Sequence, residues 1–199
     1  MKKIKELYSK GYTVKQIASF LKIPPSQVEY AVMEYKFEKL QSPKPMSLVE
    51  EILALSKEKR IEYLREFSES RSESLKKDIF IFLKKTKMNY EDIVGIIWIV
   101  GEMRFQEFAD LLCLHTSSKN GNIKRIVYSS MGKMDMDRFI PYLKMGCKDP
   151  MVQVRMYAIK ALSKYKLDDK KEFFISLLQR ETNSKNKEIL KIIIGEDDE

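Results

Sequence analysis

The sequence is poor in the residues that break or staple a chain. Seven glycines and six prolines are spread over 199 residues. All-β folds need frequent turns, so this scarcity points to helices joined by short loops. Two cysteines, Cys113 and Cys147, are too few for a disulfide framework, and free thiols are the expectation. One histidine, His115, cannot complete a His/Cys zinc site with those two cysteines in one chain. Long apolar runs are also missing. The most apolar stretch, Ile93 to Val100, is eight residues long, against the ~20 that a membrane span needs. The basic start, residues 1–5, is not followed by an apolar core of signal-peptide length. A cytoplasmic protein without membrane contact is therefore expected. Catalytic signatures are scarce as well. No phosphate-cradling glycine loop, nucleophile elbow or paired histidine occurs. No cofactor and no enzymatic activity are expected.

Charge is present in quantity, with 37 Lys and Arg against 29 Asp and Glu, net +8. Its placement matters more than its total. Residues 1–46 hold nine lysines and four glutamates, net +5. The last four residues, Glu196 to Glu199, are all acidic. The segment between them carries +7, so both candidate folded parts are basic and only the tail is acidic. A basic surface is the electrostatic footprint of a nucleic-acid partner.

Residues 1–40 read as three helices. Ile4, Leu7 and Tyr8 share one helical face, and Gly11 suits the left-handed position after the helix end. Thr13 and Gln16 have capping-box spacing. Val14, Ile17, Ala18 and Leu21 form the inner face of the second helix, and Ile23 plugs the turn. Pro25 fits the first position of a third helix, whose buried face is Val28, Ala31 and Val32. The string from Gly11 to Val28 resembles the helix-turn-helix of resolvase-type and response-regulator DNA-binding domains. The resemblance rests on Thr13, Ile17, Ala18, Leu21, Ile23, Ser26 and Val28. It implies a third helix whose first residues face base edges in the major groove. On this sequence those are Ser26, Gln27 and Tyr30, with Glu29 and Met33 beside them. Gln27 has the donor and acceptor to pair with adenine. Lys15 and Lys22, with Lys2, Lys3 and Lys5, would meet phosphates. The third helix carries Glu29 and Glu34 and no arginine, so backbone contact is favoured over guanine reading.

A proline-containing linker is expected at 41–46, because a residue before proline is pushed out of the helical region. Ser47 then caps a new helix. From 47 to 195 the chain repeats. Gly101, Gly132, Ser163 and Gly195 align at spacings of 31, 31 and 32 residues. Apolar pairs precede each marker in register: Ile97 and Val100, Val127 and Met131, Ala158 and Leu162, Leu190 and Ile194. Gly101 and Gly132 are expected just past helix ends, in left-handed conformation. Lys124, Arg155 and Lys187 occupy one repeated position. Further helices are expected near 57–68 and 72–86. Asp149-Pro150, followed by Val154-Arg155, Ala158 and Ala161-Leu162, closely resembles a HEAT repeat. There Asp149 would cap the helix and Pro150 would take its first position. The resemblance implies an all-α chain: a helix-turn-helix, then a short HEAT-like α-solenoid.

In HEAT repeats the arginine column is structural, bonding an acidic residue of the adjacent unit, and Arg155 is expected to do so. Arg125, Lys133, Lys160 and Lys164 lie on the repeat helices and are better placed for a ligand. Arg125 and Lys160 join the candidate DNA contacts. Trp98 is expected in the core. The leading reading is a non-enzymatic DNA-binding adaptor, the solenoid holding a protein partner or the duplex backbone. A protein scaffold without DNA contact is the alternative. A HEAT-like DNA glycosylase is a third, with Trp98 and Glu102 sharing a face at i and i+4. The order of parts also resembles accessory C-terminal regions of RecQ-type helicases, which implies a DNA-engaging accessory part.

Overall fold

A computed structural model describes residues 2–41, 46–84 and 88–196. The expected linker at 41–46 and acidic tail at 196–199 lie mostly outside them. The described residues form thirteen α-helices and no strand, so the fold is all-α. They divide into two compact units, Met1–Met46 and Ser47–Glu199.

The first unit holds α1 (Lys2–Ser9), α2 (Val14–Leu21) and α3 (Pro25–Gln41). Its ends follow from local chemistry. Gly11 takes φ +90°, which L side chains adopt at a cost. The Gln16 amide donates to Thr13 Oγ1 at 3.3 Å, and the Thr13 amide donates to Gln16 Oε1 at 2.9 Å. That closed box satisfies two amides that a helix start leaves bare. Lys22 ends α2 with φ 53°, and Pro25 opens α3. All three helices touch one another. Their shared core is Ile4, Leu7, Ile17, Ala18, Val28, Ala31 and Val32.

The second unit begins with α4 (Leu48–Ala54), α5 (Lys57–Arg65) and α6 (Glu69–Leu83). Ser47, Ser56 and Ser68 each accept an amide of the helix they open. Part of the helix expected at 72–86 lies outside the described residues. Next come α7 (Tyr90–Met103), α8 (Ala109–His115), α9 (Gly121–Met134), α10 (Ile140–Gly146) and α11 (Val152–Leu162). The unit ends with α12 (Lys170–Arg180) and α13 (Ser184–Glu196). α7 packs on α9, α9 on α11, and α11 on α13. The 31-residue period is visible in the backbone. A long helix ends on a left-handed residue, a 3-10 turn follows, and a short helix returns. Arg104 and Asp135 are the left-handed residues, and Phe108 and Phe139 close the turns, buried.

Two expected helix signals act differently here. Gly101 and Gly132 lie inside α7 and α9 and are not left-handed; that conformation falls three residues later. They are glycines because another helix touches them. A Cβ on Gly101 would sit 2.5 Å from the Cβ of Ser130, and one on Gly132 2.8 Å from that of Ala161. Likewise α11 starts at Val152, so Asp149 is not its cap and Pro150 not its first residue. Asp149 Oδ1 instead accepts the Met151 amide at 2.8 Å in a tight turn ahead of the helix.

Candidate nucleic-acid interface

In the first unit the turn after α2 sets the exposed face of α3. Val28, Ala31 and Val32 are driven into the core, so the residues between them must face water. Ser26 and Gln27 in the first turn are exposed. Tyr30 and Met33, one and two turns on, are each 62% exposed. Lys15 on α2 and Lys22 in the turn are also exposed. Lys5 is less free than the sequence suggested, since its ammonium lies 3.8 Å from Glu34 Oε2. Aromatic exposure on α2 was missed. Phe20 is 70% exposed, and with Tyr12, Lys15 and Gln16 it lines a shallow hollow. Its signal was available: Phe20 lies outside the inner-face set of Val14, Ile17, Ala18 and Leu21.

Arg125 and Lys160 lie in the second unit. Lys160 is exposed on α11. Arg125 is half-buried, donates to Gln153 Oε1 at 3.2 Å, and stacks 5.6 Å from the Tyr157 ring centre. Its Nε is buried and has no hydrogen-bond partner among the described residues. Gln153, Tyr157 and Lys160 follow at intervals of three or four on α11, which places them on one face, while Lys164 lies in the turn after that helix. The structure therefore groups Lys15, Lys22, Ser26, Gln27 and Tyr30 in one unit and Arg125 and Lys160 in the other.

Two of the three cations of the repeated column are engaged. Lys124 is buried and pairs with Asp149. Arg155 grips Glu181 with two bonds, Nε to Oε2 at 2.8 Å and Nη2 to Oε1 at 2.6 Å. Its Nη1 donates to the backbone oxygens of Asp149 and Pro150. Glu181 Oε1 also accepts the Thr182 and Asn183 amides, and Asn186 Nδ2 donates to Oε2. The Arg155 guanidinium, helped by those donors, pulls the Glu181 carboxyl down to about 2 against its burial. Lys187, the third of the column, is exposed.

Burial lowers the pKa of His115. Burial pushes the Cys147 thiol far up, which keeps it protonated and unreactive. Glu102 is bonded to Lys133. Trp98 is only half-buried and lines a groove of about 440 Å³ with Leu53, Arg60, Glu91 and Ile126. No group of three His, Cys, Asp or Glu residues converges on a metal position among the described residues. None of the described helices is long and apolar enough to cross a membrane.

No family model, curated protein or solved structure matches this chain. The functional reading therefore rests on these side chains and their chemistry.

Proposed function

We propose that this protein is a non-enzymatic, cytoplasmic nucleic-acid-binding adaptor. Its first unit contacts DNA as a helix-turn-helix. Its second unit, a HEAT-like stack, holds a protein partner or the duplex backbone. The single observation that carries the reading is the exposed first turn of α3. Ser26 and Gln27 stand free there, while Val28 behind them is fully buried. A helix held from one side, with a polar first turn on the other, suits insertion into a groove. Exposed Lys15 and Lys22 supply the phosphate contacts, and a net charge of +8 supplies attraction.

The test is an electrophoretic shift of the purified protein with duplex DNA over a salt series. Binding should weaken steeply as salt rises, because each phosphate contact releases counterions. A protein that shifts no duplex even at low salt is not a DNA adaptor.

A protein scaffold is the second reading. Phe20, Tyr30 and Met33 favour it, because all three are large, apolar and mostly exposed within one small unit. On that reading, partner capture survives nuclease treatment, and changing Phe20 and Met33 to Ser abolishes it.

A further inference from the structure

The groove over Trp98 has a chemistry unlike the rest of this basic chain. Its floor is made by close packing: a Cβ on Gly95 of α7 would meet Leu53 Cδ2 of α4 at 2.3 Å. Only glycine lets Leu53 lie that near. Val94, Trp98 and Ile126 add apolar wall, and the space of about 440 Å³ is that of a small-molecule site. Among the described residues, the one cation lining it is committed to the protein. Arg60 Nε donates to the Leu55 oxygen at 2.8 Å, and Nη2 to the Leu53 oxygen at 2.5 Å, at the end of α4.

The start of α7 makes part of the rim acidic. Glu91 is exposed and has no hydrogen bond or ion pair among the described residues. Asp92 beside it uses Oδ2 to accept the Asn89 amide, which leaves Oδ1 available. Tyr90 adds an aromatic ring at the same end. Glu91 and Trp98 are seven residues apart on one helix, a rise of about 10 Å. A ligand that fills this groove thus has an apolar body at one end and a positive charge at the other. The carboxylates repel phosphate, so the groove itself does not suit a nucleic-acid backbone.

We propose that the Trp98 groove binds a small organic cation, an ammonium carried on an aromatic or branched apolar body. The ammonium meets Glu91 and Asp92, and the body covers Trp98 and Ile126. Desolvation of the apolar body drives entry, and the carboxylates select the charge.

Trp98 is the only tryptophan of the chain, so its emission reports on this groove alone. The probes are 3-phenylpropylammonium, 3-phenylpropanol and 3-phenylpropionate, which share a body and differ in charge. The full-length protein at pH 7 should show a saturable shift of Trp98 emission with the ammonium. The alcohol should bind about tenfold more weakly, and the carboxylate more weakly still. Glu91→Gln should bring the ammonium close to the affinity of the alcohol. Glu91 is exposed, so the melting temperature of that variant should match the parent and exclude misfolding as the cause. No saturable shift, equal binding of the three probes, or an unchanged preference in Glu91→Gln overturns the proposal.

Discussion

Gly132 of α9 and Ala161 of α11 meet backbone to backbone. A Cβ added to Gly132 would lie 2.8 Å from the Ala161 Cβ and 2.9 Å from its Cα. Gly101 has the same relation to Ser130 one repeat earlier, and Ser130 Oγ donates to the Ile97 oxygen at 3.0 Å. Two small residues, one from each helix, thus set how closely α7, α9 and α11 approach.

Gly132→Ala should therefore lower stability by about 1–3 kcal/mol, the usual cost of overpacking, although alanine is the better helix former. Gly101→Ala should behave likewise. Gly195→Ala is the control, because a Cβ there meets nothing within 4 Å. It should be neutral or stabilising by up to about 1 kcal/mol. Thermal melts of the three variants check this; equal effects at all three sites would contradict it.

The Arg155–Glu181 pair makes stability depend on acid pH. The Glu181 carboxyl titrates at about 2 in the folded chain and near 4.5 when released. A lowered folded value means the contribution is complete above about 4.5 and is lost as pH falls towards about 2. The loss should amount to roughly 2 kcal/mol, allowing for the part of Arg155 that touches water. Urea melts between pH 5 and pH 2.5 measure it. Glu181→Gln should flatten that slope and lower stability at pH 7.

Duplex binding should be divisible by variants. Lys15→Gln and Lys22→Asn should each reduce the salt slope by about one unit while leaving sequence preference alone. Asn suits position 22, where φ is 53°. Gln27→Ala with Tyr30→Ala should erase about 1–3 kcal/mol of preference among sequences. If Arg125→Gln and Lys160→Gln alone abolish the shift, DNA lies on the second unit instead.

Much of the all-α fold was legible, for a physical reason. Thr13 with Gln16 and Ser47 with Glu50 are caps made by residues three apart, so spacing alone shows them. The 31-residue period was legible because buried residues recur with it, such as Val127 and Ala158. The purpose of Gly101 and Gly132 was not. A glycine that ends a helix and one that admits a neighbouring helix are the same letter, and the neighbour comes from a distant part of the chain. Asp149-Pro150 was misplaced because aspartate serves equally well in a tight turn and at a helix cap. The Trp98 groove draws on α4, α5, α7 and α9, a set no local pattern joins. The exposed turn of α3 was readable because its polar residues interrupt the apolar face.

The pairs Lys124–Asp149 and Arg155–Glu181 also give the second unit a direction. In each, the cation comes first and its carboxylate follows 25 or 26 residues later. A fragment ending after α11 keeps Arg155 and loses the carboxylate that neutralises it. A fragment starting after α9 keeps Asp149, whose carboxylate is largely buried, and loses the Lys124 ammonium that neutralises it. Ending this chain after α11 therefore leaves an uncompensated positive charge at the new boundary, whereas starting it after α9 leaves an uncompensated negative one.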